Sequence, residues 1–209
     1  MLLRQVGDGP DGVVPGMPGG ALGRTESYRR APDQVDDATH LGTRNNPDAE
    51  QRMRTLLAAW RRVRWPVLHV QHMSTSPVST LRPELPGNAI KPEVEPLPSE
   101  PLFRKTVNCA FLGTELEAHL HRAGIDHLVV IGLTTDHCIS SSVRTAANLG
   151  FAVTVVEDAT ATFERVGPNG THYPAQAMHE LALASLHDEF ARVLSTRAVL
   201  DELKARAFA

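Results

Sequence analysis

Short apolar runs alternate with helical segments over two-thirds of the chain, and this alternation limits the possible folds more than any other feature. The runs have the length and the β-branched content of buried strands: "WPVLHVQH" (65–72), "HLVVIG" (127–132), "AVTVVED" (152–158) and "ARVLST" (191–196). Strands that are joined through helices form right-handed βαβ units. We therefore predict an α/β fold in which helices cover both faces of a mostly parallel sheet.

Open parallel sheets place their functional sites beyond the carboxyl ends of the strands. Four residues able to do chemistry follow a predicted strand or extended segment, namely His72, Lys105, Cys138 and Asp158. We predict that they share one rim of the sheet.

Composition excludes several classes of function. The chain has 209 residues, enough for one substantial core, and its net charge of −3 gives no basic field for nucleic acid. No apolar run approaches the roughly 20 residues of a membrane span, and no signal peptide is recognisable. Two cysteines are too few for a disulfide framework. We predict a cytoplasmic protein that binds a small molecule, and neither nucleic acid nor membrane.

The first clear helical periodicity is in "NNPDAEQRMRTLLAAWRRVR" (45–64). Asn46 is the predicted N-cap, Pro47 fits the first helical position, and Glu50 completes a capping-box-like start. Two segments, 76–101 and 160–173, lack periodicity and are predicted to be loops that determine substrate specificity.

Cys138 lies just past a predicted buried strand, in the first turn of the helix that begins near Asp136. Helix N-termini and nearby cations favour a thiolate, which is the nucleophilic form of cysteine. Free cysteines are also common as small, inert core residues. Position alone leaves both interpretations open.

A family resemblance separates these interpretations. The segment "VVIGLTTDHCISSSVRTAANLGFAVTVVEDATATF" resembles the core signature of the isochorismatase-like cysteine hydrolases, which include isochorismatases, nicotinamidases, carbamoylsarcosine-type amidases and other C–N hydrolases. The resemblance covers roughly residues 44–196. It implies an isochorismatase-like three-layer αβα sandwich of Rossmann-like topology, no cofactor, and a homodimer or larger homo-oligomer. Further segments resemble the family in the same order: "RNNPDAE", "PVLHVQHMS", "NAIKPEVEPLPSEPLFRKTVNCAFLGTELEAHL" and "HELALASLHDEFARVLST".

The resemblance also implies roles for individual residues. Cys138 matches the family nucleophile, and Lys105 in "FRKTVN" matches the lysine that holds the thiolate and assists proton transfer. The Leu133–Thr134 bond matches the family's cis peptide. The backbone N–H groups of Thr134 and Cys138 are the implied oxyanion hole.

The third member of the family triad is an aspartate that closes the first strand, and the expected apolar run before it is missing. Residues 1–43 are instead an atypical segment rich in Gly, Pro and Arg, followed by the predicted hydrolase domain at 44–209. Asp33 is the candidate acid, but it follows no buried strand. A shifted reading frame or start site, a degenerate inactive domain, or an Asp33 acting from a loop would each explain this. The composition favours the first explanation.

Other candidates are weaker. His69 and His72 form an H-x-x-H pair, but residues three apart on a strand point to opposite faces, so no metal site is predicted. Asn108, Phe111, His72 and Phe163 are candidate pocket residues, although packing explains each equally well.

Three functional hypotheses follow. The first is a cysteine hydrolase that cleaves an amide-type C–N bond of a small molecule with the triad Cys138, Lys105 and Asp33. The second is isochorismatase-type hydrolysis of a vinyl ether. The third is a catalytically impaired family member that acts as a binding or oligomeric scaffold.

Overall fold

The computed structural model describes the backbone of residues 2–4 and the chain from residue 42 to residue 207. Its strands are β1 (Leu2–Arg4), β2 (Val67–His72), β3 (Leu102–Lys105), β4 (His127–Leu133), β5 (Ala152–Ala161), β6 (Arg165–Val166), β7 (His172–Tyr173) and β8 (Arg192–Leu194). Its helices are α1 (Ala49–Arg62), α2 (Leu116–Arg122), α3 (Ser140–Asn148), α4 (Ala175–Ala184) and α5 (Thr196–Ala207).

The main sheet has the strand order β3-β2-β1-β4-β5-β8. The pairs β2–β3, β4–β5 and β5–β8 are parallel, as the alternation of strands and helices predicts. Strands β6 and β7 form a separate antiparallel hairpin.

The first strand is atypical, as predicted. Strand β1 is three residues long and runs antiparallel to both of its neighbours, with Leu2 opposite Leu68 of β2 and Val130 of β4. It occupies the centre of the sheet and therefore bridges β2 to β4. The sheet is thus continuous from β3 to β8.

Helices cover both faces of the sheet, which confirms the predicted three-layer αβα sandwich. Alternate residues of β4 divide between two cores: Leu128 and Val130 belong to one, and Val129 and Ile131 to the other. The first core contains apolar residues of α2, α3 and α4, whereas the second contains those of α1 and α5. A strand that is buried on both sides is expected to be a continuous apolar run, as β4 is after His127.

The predicted start of α1 is wrong. The helix begins at Ala49 with Asp48 in the N-cap position, and Asp48 makes no capping bond through its side chain. Asn46 adopts a positive φ of 43° and donates its amide to two carbonyls of β5 instead. Glu50 accepts two hydrogen bonds from Arg44, 2.6 and 2.7 Å long, so it does not close a capping box.

The segment 76–101, predicted to be a loop, is held to the domain by a buried ionic cluster. Glu100 accepts hydrogen bonds from Arg61 of α1 (2.8 Å) and from the imidazole of His69 on β2 (2.8 Å). The backbone N–H of Leu97 donates to the same carboxylate at 2.9 Å. Three separate parts of the chain therefore meet at one carboxylate.

These donors change the proton affinity of the cluster. Burial opposes ionisation of Glu100, but the hydrogen bonds from Arg61, Leu97 and His69 outweigh it and lower the pKa of Glu100 to about 2. Burial lowers the pKa of His69, so its imidazole is neutral and donates from Nε2.

None of the described helices is long and apolar enough to cross a membrane.

We predict that Glu100 makes stability depend on acid pH. A carboxyl group whose folded pKa lies below its unfolded value stabilises the fold above the unfolded value, near 4.5, and loses this contribution as the pH falls toward about 2. Glu100→Gln should lower the free energy of unfolding at pH 7 by on the order of 2–3 kcal/mol and flatten its pH dependence below pH 5. Urea titrations monitored by circular dichroism from pH 7 to pH 3 measure both effects.

Glu93→Gln is the matched control, because Glu93 belongs to the same segment and is exposed. An equal loss of stability in both variants, or a Glu100→Gln curve parallel to the wild-type curve, would contradict the assignment.

Candidate active site

The loop that carries Cys138 begins where β4 ends. The Leu133–Thr134 peptide bond is cis, and a single π-helical turn, Thr135–Ile139, leads into α3. The carbonyl of Thr134 accepts the backbone N–H groups of His137 (3.2 Å) and Ile139 (3.1 Å). These bonds close the turn around Cys138, which is partly exposed.

Lys105 approaches the sulfur from β3, the edge strand, which is separated from β4 by β2 and β1. It is the last residue of β3 and is only 5% exposed. Its Nζ lies 3.2 Å from Cys138 Sγ, 3.0 Å from the carbonyl oxygen of Val107 and 3.3 Å from Nδ1 of His72. The two residues that the sequence predicts as nucleophile and cation are therefore in direct contact.

Asn108 also reaches the nucleophile. Its Oδ1 is 3.7 Å from Cys138 Sγ, and its side chain is exposed. An exposed amide next to the sulfur is compatible with the predicted pocket role of Asn108, which stays a prediction.

A buried histidine of α4, which the sequence patterns did not single out, forms a hydrogen bond with the loop. His179 of α4 is 4% exposed, and its Nδ1 lies 2.9 Å from the hydroxyl of Thr135. Its Nε2 faces the amide nitrogen of Asn46 at 3.4 Å. That amide directs its two N–H groups at the carbonyls of Glu157 and Thr160, so the hydrogen bond with the Thr135 hydroxyl is the one that ties His179 to the loop. Burial lowers the pKa of His179, which keeps the imidazole neutral.

Asp136, which belongs to the loop, connects it to a second neighbouring segment. Its carboxylate accepts the hydroxyl of Thr162 and lies 3.4 Å from Nε of Arg165. Burial opposes ionisation, but Thr162, the nearby His137 and Arg165 together lower the pKa of Asp136. Thr162 is held in turn by Asn45, whose Oδ1 accepts its backbone N–H at 2.7 Å. The loop is therefore anchored to the 160–173 segment.

The remaining predicted residues lie elsewhere. Phe111 is in the core and stacks on Phe151 rather than lining the site. Phe163 is partly buried and its backbone bridges to Arg44. The carboxylate of Asp158 accepts two hydrogen bonds from Thr196, which begins α5 just after the carboxyl end of β8, so it is engaged in holding that helix.

Two further predictions concern acids and metals. Asp33 falls outside the described residues, so its role stays a prediction. The two histidines of the H-x-x-H pair do face different partners, Glu100 for His69 and Lys105 for His72. Among residues 42–207, no group of three His, Cys, Asp or Glu side chains is placed to hold a metal ion.

Comparison with known proteins places these observations in a family. Residues 34–198 match the family model of the isochorismatase domain. The isochorismatase family protein YrdC of Bacillus subtilis is 42% identical over 166 residues, which are 79% of this chain and 89% of YrdC. A crystal structure of an isochorismatase-family protein from Chromobacterium violaceum superposes with a TM-score of 0.78 at 44% identity, covering 82% of this chain and 88% of that one.

Two relatives with named activities match a smaller part of their own length. Streptothricin hydrolase of Streptomyces noursei is 37% identical over 133 residues, 62% of this chain and 48% of that enzyme. Ureidoacrylate amidohydrolase RutB of Agrobacterium fabrum is 35% identical over 97 residues, 42% of this chain and 41% of that enzyme. With the family model matching most of the sequence, the chain belongs to the isochorismatase family and is a hydrolase.

Proposed function

We propose that this hydrolase cleaves an amide-type C–N bond of a small molecule, with Cys138 as the nucleophile and Lys105 as its cationic partner. The observation that carries the proposal is the 3.2 Å contact between Lys105 Nζ and a partly exposed Cys138 Sγ at the carboxyl edge of a parallel sheet. A relative that is named as an amidohydrolase supports the bond type.

The first half of the reaction forms a thioester. A cation beside a cysteine favours the thiolate, which attacks the carbonyl carbon and forms a C–S bond. The C–N bond then breaks as the ammonium of Lys105 gives one proton to the leaving nitrogen. The amine departs, and Lys105 is left as a neutral amine.

The second half consumes one water molecule. The water attacks the thioester, and its proton passes to the neutral amine of Lys105. The C–S bond breaks, a carboxylic acid is released, and both the thiolate and the ammonium are restored. Lys105 therefore acts first as a general acid and then as a general base.

The negative charge of both tetrahedral intermediates needs donors that are already oriented. We assign this role to the backbone N–H groups of Thr134 and Cys138. The bond from His179 to Thr135 fixes the turn between them, and Asp136 fixes the same turn from its other side. Little reorganisation of the loop is then needed as the charge develops.

We predict that turnover of small amides requires both members of the pair. Across a panel of primary amides, ureides and carbamoyl compounds, assayed by amine or ammonia release, Cys138→Ala should show only the rate of the buffer control. Lys105→Met should retain the fold but lose about 10²–10⁴-fold in kcat, because it removes the proton donor.

Cys109→Ala and Lys91→Met are the matched controls. Cys109 is buried beside Thr145, and Lys91 is exposed beside Glu50. Both variants should turn over at close to the wild-type rate. Full turnover by Cys138→Ala would refute the proposal, and turnover of a vinyl ether without any amide would favour the alternative reaction.

We predict that His179 supports catalysis without touching the substrate. Thr135→Val removes the hydroxyl that hydrogen-bonds with His179 and should lower kcat about 10-fold or more with little change in KM, because the loop would hold the oxyanion donors less firmly. Thr135→Ser keeps the hydroxyl and should restore kcat.

Steady-state kinetics together with thermal unfolding distinguish this role from general instability. Equal kcat values for the Val and Ser variants at Thr135 would show that the hydrogen bond does not matter for catalysis.

A further inference from the structure

The ammonium of Lys105 is surrounded by acceptors from the described part of the chain. An ammonium group has three N–H donors. Three acceptors lie within 3.3 Å of Nζ: the sulfur of Cys138, the carbonyl oxygen of Val107 and Nδ1 of His72. None of the described carboxylates forms an ion pair with this lysine. Within residues 42–207, its three N–H donors therefore face a sulfur, a carbonyl oxygen and an imidazole nitrogen.

The contact between His72 and Lys105 is fixed by the sheet. Both residues end their strands, and the β2–β3 register runs from His69 opposite Leu102 to His72 opposite Lys105. Paired residues of neighbouring strands project to the same face, so these two side chains are adjacent. The register is secured immediately afterwards, because the backbone N–H of Met73 donates to the carbonyl of Lys105 at 2.7 Å.

Two further bonds hold the end of β2 in place. Asn88 donates its amide to the carbonyl of His72 at 2.6 Å, and Gln71 donates its own amide to Asn88. His72 is therefore anchored through its backbone, and its partly buried imidazole remains directed at Lys105.

The protonation state of His72 suits an acceptor. Burial first, and the positive charge of Lys105 second, lower the pKa of His72 and outweigh the hydrogen bond with the Val107 backbone, which raises it. The imidazole is therefore neutral at neutral pH, and because Nδ1 faces an ammonium group, which can only donate, Nδ1 is the unprotonated nitrogen.

We propose that His72 is a positioning residue that holds the ammonium of Lys105 against Cys138. The inference rests on the proposed function, since it assigns a role within the same Cys138–Lys105 site. His72 acts through Lys105 and need not touch the substrate.

A neutral partner has a distinct electrostatic consequence. A carboxylate bonded to Lys105 would form an ion pair and offset much of the positive charge close to the sulfur. The imidazole directs the ammonium while leaving its unit charge available to the thiolate.

Alkylation of Cys138 tests this inference without a known substrate. The rate of modification by iodoacetamide at pH 7 is followed by mass spectrometry of the Cys138 peptide, with the buried Cys109 as internal reference. His72→Leu and His72→Asn form a matched pair, because the two side chains have nearly the same shape and only Asn offers an acceptor. Asp33→Asn tests the competing assignment.

We expect His72→Leu to slow alkylation of Cys138 about 10-fold or more, close to the effect of Lys105→Met. His72→Asn and Asp33→Asn should stay within about threefold of wild type. Thermal unfolding confirms that each variant is folded, and His72→Phe, which keeps a ring without the nitrogen, replaces His72→Leu if the latter does not fold.

Each opposite outcome is decisive. A wild-type rate for His72→Leu, or an equal loss in the Leu and Asn variants, would overturn the positioning role. A large loss in Asp33→Asn would return the role to the acid. If Cys138 in the wild-type protein reacts no faster than Cys109, the proposed nucleophile itself fails, which is a separate result from failure of the His72 assignment.

Discussion

The contact between the Lys105 ammonium and the Cys138 sulfur is the interaction on which the chemistry depends. Its 3.2 Å distance joins two elements that are remote in sequence, the end of β3 and the π-helical turn after β4. Because β2 and β3 are in parallel register, the same sheet edge adds His72 to the pair. The sheet therefore fixes the positions of Lys105 and His72, and the turn after β4 carries Cys138, the proposed nucleophile.

The centre of the sheet is occupied by a short strand from the start of the sequence. Residues 2–4 lie between β2 and β4 and pair antiparallel with both. Lys105 reaches Cys138 across this centre, so continuity between β2 and β4 is a requirement of the site as well as of the fold. This antiparallel strand pairs with two residues of β2 and three of β4. In the described part of the chain, no carboxylate forms an ion pair with Lys105.

Sequence patterns predicted the layers and the reacting pair because both have local signals. Apolar runs of strand length and helical periodicity define the αβα sandwich, and the segments around Cys138 and Lys105 each resemble a family motif. Contacts between residues that are distant in the sequence leave no local pattern from which they could be predicted. The bond between His179 and Thr135 joins residues 44 positions apart, and the pairing of His72 with Lys105 depends on strand register.

The incorrect predictions have the same origin. Asparagine is a residue type that favours the N-cap position, and Asn46 was predicted there for that reason. Its amide instead donates to two carbonyls of β5, a long-range pairing that replaces local capping. Phe111 follows the lysine segment closely, yet an aromatic partner in the core draws it away from the site. Asp158 was predicted with the reactive residues, but its carboxylate is engaged in holding the start of α5.

A covalent acyl group on Cys138 is the central claim, and hydroxylamine trapping tests it most directly. During turnover of an active amide, hydroxylamine competes with water for a thioester, so acyl hydroxamate should form in proportion to its concentration while amine release proceeds. Cys138→Ala should form none. If the wild-type enzyme releases amine but yields only carboxylate at every hydroxylamine concentration, the hydrolysis does not pass through a thioester on Cys138.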